Sequence, residues 1–326
     1  MTDPRGVETE EQPIAAASGS APLSLDAFSS TDWLLLTGTA LTWGSSFVWI
    51  ELALESFEPA LIALIRVIFG ALTLSLFRKA RAKIGRQDLK SIILLGILWM
   101  AAPFLLFPIA QQWIDSSLAG MINGGVPIFA GAVAAIIMRR WPPMKTVLGI
   151  LVGFGGVIAV SWPAVQDSRA TALGAGLVLL ATAFYGIAIN IAVPLQQRYG
   201  SLPVLLRAQL VAFLLTLGPG LYATQHSTFS WRSLGAMVPL GCLGTAMAFV
   251  WMSTLAGRVG AARASITIYF VPVIAIILGA VFQDDDIAGV SLLGTLLVIT
   301  GAFFASRTQA ARAQHSAVPE EAPEVT

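Results

Sequence analysis

The stretch from Ala119 to Gly156 occurs twice. Moved 145 residues along the chain without a gap, it lands on Ala264 to Gly301, and nine of the 38 positions are identical. They are Ala119/Ala264, Val126/Val271, Pro127/Pro272, Ala130/Ala275, Ala135/Ala280, Leu148/Leu293, Gly149/Gly294, Leu151/Leu296 and Gly156/Gly301. Each copy is an apolar run with a proline, a short polar break, and a second apolar run bearing glycines. Two apolar runs joined by one tight break read as a membrane helical hairpin. A hairpin repeated near the end of each half divides the chain into two related halves.

Composition places the halves in a bilayer. The chain is 56% hydrophobic and 11% charged, with a mean hydropathy of +0.79, whereas soluble domains are about a quarter charged. A net charge of +1 gives nothing that points to nucleic acid. The single Cys242 excludes an internal disulfide. The first 30 residues are acidic and lack a signal-peptide apolar core.

Ten apolar runs follow, near 33–54, 59–77, 90–110, 116–138, 146–162, 172–194, 201–223, 233–256, 262–282 and 287–306. Each approaches the ~20 residues needed to cross the hydrocarbon core. The predicted organisation is a disordered tail over 1–30, repeats over 31–165 and 166–306, and a disordered tail over 307–326. Ten crossings put both termini on one face. That face takes fifteen of the 19 basic residues, while the opposite loops hold only Arg169 and Arg232. Positive residues stay on the cytoplasmic side, so both termini are expected there.

The same count orients the halves. Arg139 and Arg140 occupy the break of the first hairpin, and Asp284 and Asp285 occupy the equivalent break of the second. Five crossings per half turn the second half upside down, and this exchange of charge is what inversion requires. The expected fold is an all-α membrane protein: ten transmembrane helices as two inverted five-helix repeats around a central cavity. Asp284, Asp285 and Asp286 read as a solvated external turn; a metal site would need more oxygen ligands than one turn supplies.

Several residues inside the runs could line that cavity. A proline removes the hydrogen bond to the carbonyl four residues earlier. Pro103, Pro127, Pro194 and Pro272 thus free the carbonyls of Trp99, Asn123, Asn190 and Ile268, which must face protein or a wet cavity. Pro127 and Pro272 are predicted hinges; the alternative is a kink satisfied by a neighbouring hydroxyl. Thr39, Trp43, Ser46 and Ile50 share one helical face. Tyr185 follows Trp43 by 142 residues, and each precedes a glycine. Trp99, Trp251 and Tyr269 are further mid-run aromatics whose polar tips want partners, with plain packing as the rival reading. Trp33, Trp113 and Trp162 sit at interfacial depth, where aromatics anchor.

Arg66 lies about 10 Å inside its run at 1.5 Å per residue, where an unpaired charge costs ~3 kcal/mol or more. It either pairs with Glu51, binds an anionic group such as a substrate carboxylate, or snorkels outward. Arg207 reads as a snorkelling residue. Gly149, Gly153 and Gly156 fall on one helical face, and Gly294 and Gly301 repeat the outer two. The fifth and tenth runs therefore pack tightly, against each other or across a homodimer.

The chain resembles the drug/metabolite transporter superfamily, EamA type, over roughly residues 33–306. The resemblance is carried by Trp43-Gly44-Ser45-Ser46-Phe47, Ile65-Arg66, Val126-Pro127, Leu148-Gly149 and Gly155-Gly156. In the second half it is carried by Ala183-Phe184-Tyr185, the run from Gly257 to Ala264, and Tyr269-Phe270-Val271-Pro272. One departure is the Arg139-Arg140 pair, where the family usually carries an acid. The resemblance implies ten helices around a central cavity, cytoplasmic termini, and movement of small metabolites, often efflux, across a bacterial inner membrane.

The chain has no glycine-rich phosphate loop and no acid–histidine cluster at membrane depth, so neither an ATP-driven pump nor a metal hydrolase is supported. No cofactor is implied. The sequence reads as a secondary transporter, not an enzyme, for small polar or amphipathic metabolites such as amino acids. The partners expected are that small molecule and the bilayer. The alternatives are uptake or exchange of phosphorylated sugars or nucleotides, or a membrane sensor or enzyme. The substrate-binding expectation covers Trp43, Ser46, Arg66, Trp99, Asn123, Tyr185, Asn190, Trp251 and Tyr269.

Overall fold

The computed structural model describes residues 28–139, 143–260 and 264–315. Arg140, Arg263 and the chain ends 1–27 and 316–326 lie outside the described residues. Among the described residues all regular structure is helical, in ten helices and a short 3-10 turn at Arg78–Arg81. Helix α1 spans 30–54, as Ser30–Gly44 and Ser46–Leu54 on either side of Ser45. Then come α2 (Pro59–Ser75), α3 (Arg86–Ala110), α4 (Ser116–Asn123 and Val126–Met138) and α5 (Met144–Asp167). The second half holds α6 (Arg169–Tyr199), α7 (Ser201–Ala223), α8 (Trp231–Val259), α9 (Thr267–Phe282) and α10 (Gly289–His315). Helices α3 to α8 are each long and apolar enough to cross a membrane. Their outer faces carry side chains such as Ile136, Leu214 and Leu148, exposed here and suited to lipid.

Local chemistry sets the ends. Ser29 and Asp32 form a capping box at the start of α1. Pro59 opens α2, where its missing N–H leaves no intrahelical bond unmade. Gly200, at φ +82°, is the single residue between the end of α6 and the start of α7.

The two halves repeat in three dimensions. Helix α3 carries a π-helical segment at Gly96–Ala101, and α8 carries one at Pro239–Met247, the place reached by adding 145. Among the described residues the only non-glycine residues with positive φ are Arg139 (48°) and Asp284 (56°), again 145 apart. They mark the ends of α4 and α9 on opposite faces of the molecule.

The halves also clasp each other symmetrically. A Cβ on Gly44 of α1 would lie 2.6 Å from Ile274 of α9, and one on Gly186 of α6 would lie 2.5 Å from Phe129 of α4. Phe129 and Ile274 are equivalent positions. Helices α5 and α10 form the tightest seam: Gly156 abuts the backbone of Gly294 and Val298, and Gly301 abuts that of Gly149 and Gly153. Small residues permit this approach, so the predicted glycine face joins α5 to α10 within one chain. The protein is thus a ten-helix membrane fold of two inverted repeats.

Ion pairs and hydrogen bonds tie each face. Asp32 with Arg258 and Asp88 with Arg198 join helix ends on the face that holds the start of α1 and the end of α10 (the terminal face). Glu55 with Arg232, and Ser227 with the Glu58 amide, join those on the opposite face.

Candidate functional site

A cavity of about 420 Å³ lies between the halves, within the size range of small-molecule sites. Its walls come from equivalent positions. Trp43, Phe47 and Ile50 of α1 match Tyr185, Ile189 and Ala192 of α6 at a shift of 142. Trp99, Phe104 and Phe107 of α3 match Gly244, Phe249 and Met252 of α8 at 145, and Asn123 and Val126 match Ile268 and Val271. All sixteen line the cavity. The cavity therefore sits on the pseudo-twofold axis.

The walls are aromatic. Trp43 and Trp99 both meet Phe249 edge-on, with ring centroids 5.4 and 5.2 Å apart. Phe107 stacks on Tyr185 at 5.9 Å and meets Phe47 edge-on at 5.5 Å. Such pairs hold rings in defined orientations. The lining continues to Gln196, Ser201 and Ala256, at the ends of α6 and α8 and the start of α7, so the cavity extends toward the terminal face. Toward the opposite face it is closed. There Gln111 donates to the Phe47 carbonyl at 2.8 Å, between the Phe47–Phe107 pair and that face.

Above that plug lies a second closure. Asp285, in the loop between α9 and α10, accepts from the Ser116 hydroxyl (3.0 Å), the Ser117 amide (2.8 Å) and the Ser117 hydroxyl at the start of α4. The acidic triplet is thus more than a solvated turn: one member binds the first repeat from the second. Nearby Asp115 is raised above the usual carboxylate range, first by burial and then by the charges of Asp285 and Asp286.

Arg66 of α2 is buried, with 6% of its surface exposed. Its Nε donates to Thr245 Oγ1 of α8 at 2.9 Å, and its guanidinium carbon lies 3.9 Å from the centroid of the Phe104 ring. The expected pairing with Glu51 is not formed. Glu51 points toward Ser116 near the opposite face, and its buried Oε2 has no hydrogen-bond partner. Snorkelling is also excluded for Arg66, because Thr245 and Phe104 hold the head inside. Arg207 instead reaches the Ala82 carbonyl in the loop before α3, at 3.4 Å.

Six of the nine expected residues come together in the cavity: Trp43, Ser46, Arg66, Trp99, Asn123 and Tyr185. Three do not. Asn190 donates to the Ala130 and Gly186 carbonyls. Trp251 packs over Gly38, and the Tyr269 hydroxyl donates to the Ala302 carbonyl on α10. The break in α4 falls at Gly124–Gly125, ahead of Pro127, which opens the second segment instead of kinking a continuous helix. Gly124 faces Pro272 of α9 across that break. Pro194 lies inside an unbroken α6.

The EamA-like transporter family model matches residues 32–162 and again 172–307, one copy for each repeat. The chain belongs to this family. It is a transporter and not an enzyme. It is 24% identical over 276 residues to an "Uncharacterized transporter" of Archaeoglobus fulgidus, covering 84% of this chain and 98% of that one. It is 25% identical to a "Probable terminal-alkyne amino-acid exporter" of Streptantibioticus cattleyicolor (88% and 97% covered). It is 23% identical to a "Probable amino-acid metabolite efflux pump" of Escherichia coli (84% and 94%). In this EamA-like transporter the paired walls of the cavity and the paired family matches describe one architecture.

Proposed function

We propose that this EamA-like protein is a secondary transporter that moves small polar or amphipathic metabolites, amino acids among them, out of the cell by alternating access. The observation that carries the reading is a cavity on the pseudo-twofold axis that extends toward one face and is sealed from the other. The basic bias of the terminal face supports reading it as the cytoplasmic side of a bacterial inner membrane, with both termini there. The arrangement is then an inward-facing state, ready to load from the cytoplasm. The names of the amino-acid-exporting relatives support the substrate class. Phosphorylated sugars and nucleotides are less well served, since among the described residues Arg66 is the single cation lining the cavity.

The hinge proposal centres on the Gly124–Gly125 break facing Pro272, with Pro127 fixing the first turn of the segment that would move. Rocking one half against the other there would open the opposite face.

The test is export of a radiolabelled amino-acid panel from proteoliposomes. Trp43→Ala removes one ring of the aromatic wall and should weaken substrate affinity about tenfold, by ~1.5 kcal/mol from the lost edge contact and burial. Trp251→Phe, outside the cavity, should behave like the unmodified protein. Equal losses from both substitutions would remove the cavity from the transport path.

A further inference from the structure

The positions that break the symmetry of the cavity carry its polarity. Arg66 has no lining counterpart on α7, and Asn123 is matched by the apolar Ile268. Both are left unsatisfied by the protein. Nε of Arg66 is taken by Thr245, and none of the ion pairs among the described residues includes Arg66. Neither Nη group has a protein hydrogen-bond partner among the described residues. The Oδ1 of Asn123 is buried and accepts no bond from the described residues. Among the described residues no carboxylate lines the cavity.

A cation held out of water without a counter-charge is unfavourable, yet here it is held in place. The Thr245 hydroxyl donates to the Leu240 carbonyl five residues earlier, at 2.9 Å, a bond suited to the π-helical segment. With its proton so committed, Thr245 presents only lone pairs to Arg66. Phe104 covers one face of the guanidinium. The edge left free is the Nη1/Nη2 pair, whose parallel N–H bonds match the two oxygens of a carboxylate.

We infer that the cavity selects amphipaths bearing a carboxylate and rejects organic cations with the same apolar body, with Arg66 as the anion receptor. The aromatic walls take the body of the molecule, and the Asn123 side chain in the cavity wall offers its amide to the polar end. An α-amino acid satisfies all three, and an N-acylated amino acid does so as well. A phosphate dianion would want a second cation, and Arg207 is engaged elsewhere. The inference rests on the cavity being the transport site.

The probes are one phenyl body in four charge states: L-phenylalanine, N-acetyl-L-phenylalanine, L-phenylalaninamide and phenyl phosphate. Binding to the purified protein in nanodiscs is followed by intrinsic tryptophan fluorescence, and transport by efflux from proteoliposomes. The zwitterion and the carboxylate anion should bind at least tenfold more tightly than the amide cation and the phosphate. Arg66→Gln should erase the preference for the anion, and Arg66→Lys should keep part of it. Thr245→Val leaves the charge in place but frees the guanidinium, so anion affinity should fall several-fold. Should Arg66→Gln fail to fold, Thr245→Val and Arg66→Lys still carry the test. Cation binding equal to anion binding, or an anion preference that survives Arg66→Gln, overturns the inference while leaving the cavity as the site. If no probe of any charge binds or moves, the transport reading itself falls and takes this one with it.

Discussion

Gly301→Ala and Gly156→Ala are each expected to prevent assembly of a stable protein, whereas Gly155→Ala, one residue away, should be harmless. A Cβ on Gly301 would stand against the Gly153 nitrogen and 2.5 Å from the Gly149 carbonyl oxygen, and one on Gly156 would stand 2.6 Å from the Val298 nitrogen. The obstacles are backbone atoms of a packed helix, which cannot rotate aside. Overpacking against side chains costs about 1–3 kcal/mol, so a backbone clash belongs at or above the top of that range. This is a large share of the ~5–15 kcal/mol that holds a folded protein. A Cβ on Gly155 meets nothing within 4 Å, and alanine is about 1 kcal/mol better than glycine within a helix. Thermal unfolding and size-exclusion profiles of the three variants in detergent would distinguish them. A Gly301→Ala protein as stable as the unmodified one would mean that α5 and α10 do not meet at this seam.

That seam was readable because spacing carries it. Gly149, Gly153 and Gly156 recur at helical intervals, and the 145-residue shift supplies their partners on α10. The ten helices were readable for the same reason: apolar runs of membrane length leave a periodic, local signal. The site was readable only in part. Depth and the repeat point to Trp43, Trp99 and Tyr185, which do line the cavity, but depth does not say which way a ring points. On α8 the π-helical segment shifts the helical register, and Phe249 faces the cavity while Trp251 packs outside it. The Arg66–Thr245 bond links residues 179 apart in sequence, and a single threonine in an apolar run announces nothing. From the sequence Asp285 reads as solvated, because an aspartate in an external turn ordinarily is. Only the fold brings the start of α4 to it.

Asp285→Ala is expected to shift the protein toward the state open on the opposite face by roughly 30- to 150-fold. The carboxylate accepts three hydrogen bonds from Ser116 and Ser117, and it sits at a helix N-terminus, which favours negative charge. Hydrogen bonds to a charged group contribute about 1.5–3 kcal/mol. A loss of ~2–3 kcal/mol from the closed state corresponds to that shift, at 1.4 kcal/mol per factor of ten. Alternating access requires these bonds to break, since they tie the loop of one repeat to the fourth helix of the other. Ile50 gives the readout: it is buried, lines the cavity and lies beneath the closure. In an Ile50→Cys, Cys242→Ser background, a membrane-impermeant thiol reagent applied from the opposite face should label the Asp285→Ala protein more than tenfold faster. Equal labelling rates would show that the Asp285 bonds do not govern access. Acidity should act the other way. The Asp115 carboxyl is raised in the closed arrangement by burial and by Asp285 and Asp286, so the closed arrangement holds its proton more tightly. Lowering the pH toward that raised range therefore favours closure, and raising it withdraws the effect. In Asp285→Ala one of the charges responsible is gone, so the pH dependence of labelling should flatten along with the loss of closure.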